Sequence, residues 1–261
     1  METEAADDLR RTSARQLVSI IPFPPHHRHR QAIDMVLSLQ PSVLLNCGAG
    51  DGYVVAQLLT HDIPWLRRVI LYEPMPDIRA DLEAALEKWI SAGRVEIIKH
   101  REELGAIAVD LVLCMGVLEH PPLAERVASY ELCADKLKSA GHCIIDVPLE
   151  VGPTGIAKES ARVVLKGRTR QYSLKALAKT ALGAKVRHHA QSDPLNVTTF
   201  IHYHTGFDYR LLHVELADRS DVRIPYRLLS RRLHACMGNK EIFFVLQDRD
   251  LGRFPSRPLP S

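Results

Sequence analysis

The chain has 261 residues, 46% of them hydrophobic, and a formal net charge of +3. That is enough apolar side chain for one large α/β domain or two small ones, and too little net charge to point by itself to nucleic acid. No apolar run approaches the roughly 20 residues that cross a bilayer, and the acidic start METEAADD lacks the basic n-region of a secretory signal, so a cytoplasmic protein is expected.

Residues 1–20 are polar with little periodicity and are expected to form a flexible segment. A helix is predicted over 27–39, after the Pro24-Pro25 stop, and His26, His27 and His29 read as its polar start rather than as a metal cluster, because no Cys, Asp or Glu joins them at ligand spacing. A strand follows over 42–47, a helix over 52–60, a strand over 68–73, a helix over 76–91, strands over 94–99 and 109–115, a helix over 122–138 and a strand over 142–147. Short apolar β-rich runs alternating with amphipathic helices spell βαβ units, hence a mostly parallel sheet with helices on both faces. Right-handed crossovers make that sheet doubly wound.

After Pro148 the rhythm breaks. No convincing strand is read between 150 and 200, and from 158 to 187 nine Lys or Arg face one acid, Glu159. A structureless loop of that length is improbable in a domain, so a helical basic insert or lid is expected there. Regularity returns with a helix over 207–217 and strands over 222–229 and 241–246, a pair expected to supply the antiparallel edge of a seven-stranded sheet. The expected division is therefore a single α/β domain over 21–247, the insert at 150–200 included, between the segment 1–20 and a Pro- and Arg-rich flexible tail over 248–261. Five cysteines (Cys47, Cys114, Cys133, Cys143, Cys236) show no CxxC spacing, and three of them sit in apolar strand-like runs as small hydrophobes, indicating neither a disulfide framework nor a zinc site.

The first strand runs into LLNCGAGDG, residues 44–52. Glycine at 48, 50 and 52 permits positive φ and lets a ligand reach the main chain, and the helix that follows offers unpaired N–H groups to an anion. The dinucleotide fingerprint would require glycine at position 53, which is Tyr53, so a pyrophosphate is poorly supported. The second strand ends in Leu71-Tyr72-Glu73, where an acid can accept hydrogen bonds from ribose hydroxyls, and an adenosine with a short anionic arm fits best.

On VLLNCGAGDG, LYEP and DLVLCMGVLEH the chain resembles the class I S-adenosylmethionine-dependent methyltransferases, over about residues 28–147 and more loosely at its end. The resemblance implies S-adenosyl-L-methionine as cofactor. Its methionine part would border Gly48, Ala49 and Gly50, with Asp51 and Gly52 completing the turn, and Glu73 would bind the ribose. Pro74, Met75, Arg101 and Glu102 would flank the adenine, and Met115 and Gly116 would lie near the sulfonium. Asn46 stands where the family usually has an acid for the cofactor's ammonium, and His100 where an Asp often approaches the adenine amino group.

Histidine as a residue type changes charge near neutral pH, and His120 is the candidate catalytic base for a hydroxyl or amine acceptor, the alternative being a cap of the next helix. No metal is expected, since Gly116 stands where a metal-binding acid would be needed. His202, Tyr203 and His204 precede the helix at 207 and are candidate acceptor contacts. The basic insert reads as a solvated face, as a contact for an anionic acceptor, or as a peripheral membrane surface; nucleic acid ranks last for want of interleaved aromatics. The activity so implied is methyl transfer to a small-molecule or lipid- or sugar-linked acceptor, chiefly at oxygen. A non-enzymatic partner protein of the same fold, an RNA-modifying enzyme and a nicotinamide-dependent oxidoreductase are the rivals.

Overall fold

The computed structural model describes residues 26–61, 63–148, 191–192, 199–200, 207–217, 221–223 and 241–247. Both ends of the chain, nearly all of the basic insert, and His202, Tyr203 and His204 lie outside the described residues. The chain divides into two compact units, one ending at Leu39 and one beginning at Gln40. In the first, helix α1 (His26–Leu39) places the buried Ala32 and Val36 one turn apart on one face. The Ser38 hydroxyl donates to the Asp34 carbonyl at 2.9 Å, a bond back to the preceding turn.

The second unit is an α/β sheet. Its elements are β1 (Val43–Cys47), α2 (Tyr53–Thr60), β2 (Arg68–Tyr72), α3 (Pro76–Ser91), β3 (Val95–Ile98), a 3-10 turn (Arg101–Leu104), β4 (Val109–Met115), α4 (Leu123–Lys136), β5 (Leu137–Pro148), β6 (Gln191–Ser192), β7 (Thr199–Phe200), α5 (Tyr209–Ala217), β8 (Asp221–Arg223) and β9 (Glu241–Gln247). Seven strands form one sheet in the order β3-β2-β1-β4-β5-β9-β8. The first five pair in parallel, as buried runs such as VLLNC and VDLVLCM require, because both faces are covered. One face carries Leu45, Cys47, Ile70, Val112 and Cys114, packed with Tyr130, Leu132 and Cys133 of α4 and Leu212 and Leu216 of α5. Alternation along the strands turns Leu44, Asn46, Leu71 and Leu113 to the other face.

The last two strands pair antiparallel at the edge of the sheet, as expected: β9 runs antiparallel between β5 and β8, so the outermost strand, β8, points the same way as the parallel five. Two local expectations change. β5 begins at Leu137, directly off α4, because Leu137 pairs with Val109 before a register break lets Leu111 pair with His142. Ala140, with φ 63°, carries that irregularity, and Gly141 lies so close to the Lys138 carbonyl that a Cβ would stand 2.8 Å from it. Between 150 and 200, where no strand is read from the sequence, β6 and β7 pair antiparallel as two short segments. Among the described residues no helix is long and apolar enough to cross a membrane.

Candidate functional site

The chain leaves β1 toward β2 and β3 on one side and returns through β4 and β5 on the other, so the strand order reverses between β1 and β4. At such a reversal the helices diverge and leave a crevice beyond the carboxyl ends of the strands. The bend after β1 opens onto it. The Gly48 N–H donates to the Tyr72 carbonyl at 2.8 Å, continuing the β1–β2 ladder by one rung, and the Gly52 N–H donates to the Ala49 carbonyl at 3.0 Å, closing a tight turn. Gly48, Gly50 and Gly52 all have positive φ, at 70°, 56° and 70°.

The three glycines do different things. A Cβ on Gly48 would stand 2.3 Å from Val117 Cγ2, and one on Gly52 would stand 2.4 Å from Leu82 Cδ1. Both are therefore required by packing of the chain on itself. A Cβ on Gly50 would meet nothing within 4 Å, so the open main chain is at Gly50 alone. The start of α2 is also partly engaged: the Asp51 carboxylate accepts from the Tyr53 N–H at 3.1 Å, taking one of the donors that an external anion would use.

Glu73 closes the bend from the β2 side. It is 4% exposed. Its Oε2 accepts from the Gly50 N–H at 3.0 Å and its Oε1 from the Met75 N–H at 3.1 Å, while its own N–H donates to the Ile98 carbonyl at 3.1 Å. Burial raises the Glu73 pKa above the ordinary carboxylate value, against the lowering pull of the Met75 and Gly50 N–H groups and of Arg79. Arg79, one turn into α3, donates to the Glu73 and Pro74 carbonyls at 3.1 and 3.2 Å and fixes the segment bearing Pro74 and Met75. Sequence reading passed over Arg79; its only signal is a cation one turn after the Pro76 helix start.

Asn46, the penultimate residue of β1, is 4% exposed, and its Oδ1 is a buried acceptor without a hydrogen-bond partner among the described residues. The β4 exit lies beside it. Met115 and Gly116 are half-buried, Gly116 has φ 63°, and its N–H donates to the Asp146 carbonyl at 3.1 Å. Val117 then packs on Gly48, which joins this exit to the glycine bend. Glu119 is buried and His120 half-buried, with the His120 N–H donating to the Val117 carbonyl at 3.1 Å. α4 starts from Pro122, which itself makes no side-chain cap.

Arg101 and Glu102 are exposed on the 3-10 turn after β3, two strands from β1. The Arg101 guanidinium donates to the Ala128 carbonyl of α4 at 2.9 Å. The His100 side chain is exposed, 4.0 Å from Glu103. Asn46, Gly48, Gly50, Glu73, Met75, Gly116 and Val117 are thus drawn together at the strand reversal, with His120 one short turn beyond.

No protein-family model and no curated protein sequence matches the chain. Solved structures do. The methyltransferase domain of bacterial CtHen1-C aligns with a TM-score of 0.55 at 12% identity, over 85% of this chain and 97% of that one. The N-methyltransferase NodS from Bradyrhizobium japonicum WM9, in complex with S-adenosyl-L-homocysteine, aligns with a TM-score of 0.51 at 12% identity, over 89% of this chain and 91% of that one. Of an O-methyltransferase family protein from Burkholderia thailandensis, with a TM-score of 0.48 and 15% identity, 84% of this chain spans 56% of the length. At such identities the likeness is one of fold.

Proposed function

We propose that this chain, which has the class I methyltransferase-like fold, binds S-adenosyl-L-methionine at the glycine bend and transfers its methyl group to a small-molecule or lipid- or sugar-linked acceptor, with oxygen as the target atom. The observation that carries this reading is the pairing of open main chain at Gly50 with a buried carboxylate, Glu73, bonded to its N–H. The residues fit the cofactor on three counts. Gly50 leaves space where a Cβ would project, Asn46 holds an unpartnered buried acceptor, and Glu73 retains acceptor capacity on both oxygens, since each carries two lone pairs and meets one N–H.

When bound, the cofactor supplies a methyl group on a positively charged sulfur, already a good leaving group. The protein then gains chiefly by alignment. Glu73 accepts from the ribose hydroxyls and Asn46 Oδ1 from the ammonium. Ala49, Asp51 and Gly52 shape the bend; Pro74, Met75, Arg101 and Glu102 flank the adenine; Met115 and Gly116 border the sulfur. His120 takes the proton from the acceptor hydroxyl, and His202, Tyr203 and His204, with the insert at 150–200, form the acceptor side. A cytoplasmic enzyme acting on an anionic acceptor, with peripheral contact to a membrane surface, is the matching setting.

Calorimetric titration with S-adenosylmethionine tests the binding, and mass spectrometry of cell extract incubated with labelled methyl donor reports the acceptor. Absence of binding up to millimolar donor would sink the proposal. One observation favours a non-catalytic partner protein instead: Asn46 brings no charge to the ammonium. Donor binding without any labelled product in extract would move the reading there.

A further inference from the structure

Arg79 holds three successive carbonyls of the segment that joins β2 to α3. Its main-chain N–H donates to the Met75 carbonyl at 3.0 Å, closing the first turn of α3, while its guanidinium Nη1 reaches back to the Glu73 and Pro74 carbonyls at 3.1 and 3.2 Å. The helix itself gives no reason for a cation there, because its N-terminal end carries the positive pole of the peptide dipoles and favours anions such as Asp77. What the guanidinium orders is a single peptide unit. In the trans Pro74–Met75 peptide the carbonyl and the N–H lie in one plane and point opposite ways. The carbonyl meets Arg79, and the N–H is thereby turned to Glu73 Oε1, 3.1 Å away. The other carboxylate oxygen, Oε2, accepts from the Gly50 N–H at 3.0 Å, where the bend has open space around it.

We propose that Arg79 is a positioning residue for the donor site: through the Pro74–Met75 peptide it holds the Glu73 carboxylate in the orientation that links the start of α3 to the glycine bend, and so presents that carboxylate to the ribose hydroxyls. The part concerning the ribose rests on the function proposed above; the orientation of Glu73 does not. The main chain of Glu73 is held from the other side by β3, its N–H donating to the Ile98 carbonyl at 3.1 Å. Its flexible side chain depends instead on the two N–H groups at its end. Without the guanidinium the Pro74–Met75 peptide is free to turn its N–H away, and the carboxylate keeps the Gly50 N–H alone. A buried carboxylate short of donors is the more easily protonated.

Charge acts in the same direction as geometry. Burial raises the Glu73 pKa, and the Met75 and Gly50 N–H groups and Arg79 oppose it. The other titratable groups nearby do not compete for that part. Tyr72, beside Glu73 on β2, has its own pKa raised, chiefly by burial, and is neutral over the acid range. Asp51 in the bend turns its carboxylate to the Tyr53 N–H, and His100 after β3 lies exposed beside Glu103. Loss of Arg79 removes one opposing influence directly and a second through the freed peptide, so the Glu73 pKa rises further. A carboxylate that must be ionised to accept from both ribose hydroxyls then loses the donor at a higher pH as acid is added.

The test compares the full chain as wild type, Arg79→Met, which keeps the apolar stem and removes the donors, Glu73→Ala, and the double variant. Each is titrated with S-adenosylmethionine by calorimetry across pH, and the Glu73 carboxyl carbon is titrated by NMR without donor. Arg79→Met is expected to raise the Glu73 pKa, to weaken donor binding about fivefold or more at neutral pH, and to move the acid loss of affinity to higher pH. In the Glu73→Ala background it should cost nothing further, since residues that act through one another do not add. Arg79→Lys restores a charge on a shorter stem and is expected between wild type and Arg79→Met; should methionine unfold the protein, lysine carries the comparison. An unchanged Glu73 pKa overturns the proposal, as do equal losses of affinity with and without Glu73. A shifted pKa with wild-type donor affinity overturns the presentation to the ribose. Failure of the wild type to bind the donor refutes the proposed function, and the Glu73 titration then decides the part of Arg79 by itself.

Discussion

Alanine at each glycine of the bend separates packing from access by a ligand. All three positions have positive φ, so an L side chain costs about 1–2 kcal/mol at each. At Gly48 and Gly52 the new methyl also lies 2.3 Å from Val117 Cγ2 and 2.4 Å from Leu82 Cδ1, and overpacking of that kind adds roughly 1–3 kcal/mol. At Gly50 no atom lies within 4 Å, so only the backbone cost applies. With about 2–4 °C per kcal/mol for a domain of this size, thermal denaturation should place Gly50→Ala a few degrees below wild type, and Gly48→Ala and Gly52→Ala roughly twice as far or more. Calorimetry should give the opposite emphasis for Gly50. Its added methyl occupies the space proposed for the cofactor, and affinity for S-adenosylmethionine should fall at least about tenfold, which is roughly 1.4 kcal/mol. Wild-type affinity in Gly50→Ala would refute ligand approach to that main chain. A stability loss at Gly50 as large as at Gly48 would refute the packing assignment.

Glu73→Ala removes the acceptor of the Gly50 and Met75 N–H groups and should weaken donor binding at least about tenfold, consistent with roughly 1.5–3 kcal/mol for a hydrogen bond to a charged group; an unchanged dissociation constant would mean that the ribose is held elsewhere. Burial raises the Glu73 pKa above 4.5 in the folded protein. Donor affinity that needs the carboxylate should therefore decline, as pH falls, from a pH above 4.5, whereas the contribution of Glu73 to stability is fully present below 4.5 and is lost as pH rises through the folded pKa. Titrating affinity and denaturation over that range checks both directions. Asn46→Asp places a carboxylate where the side chain is 4% exposed, so the unliganded protein should lose thermal stability while the donor binds roughly tenfold tighter through a charge-assisted bond; a loss of both would remove Asn46 from the ammonium site. His120→Ala should lower turnover far more than donor affinity, and equal turnover would leave His120 without a part in proton removal.

Much of the fold was legible because strand and helix periods are local properties of the chain. The runs VLLNC, RVILY and VDLVLCM form strands within a residue or two of their expected bounds, and α3 spans Pro76–Ser91 as its proline start and apolar spacing require. The end of β5 was equally plain. Its start was not, because the helical pattern runs to 138 and the apolar run begins only at 142, and only pairing of Leu137 with Val109 brings the strand back to 137. Glu73 was legible for the same local reason: it is the acid that directly follows the second strand.

The order of bonded strands, by contrast, is a choice among distant partners, and no periodicity in 241–247 says that β9 inserts between β5 and β8. Nor could spacing divide the labour among the three glycines, since that depends on Val117 and Leu82, which are remote in sequence and adjacent in space. The four cysteines make the same point. Three of the chain's cysteines were recognisable as small hydrophobes in apolar runs, but that Cys47, Cys114, Cys133 and Cys143 share one core cluster follows only when β1, β4, β5 and α4 pack against one another. Local periodicity determines which residues form strands and helices and which way each side chain faces. Chemistry that depends on two such surfaces meeting exists only in the packed molecule, because contact energy is set by distance in space and sequence separation carries no record of it.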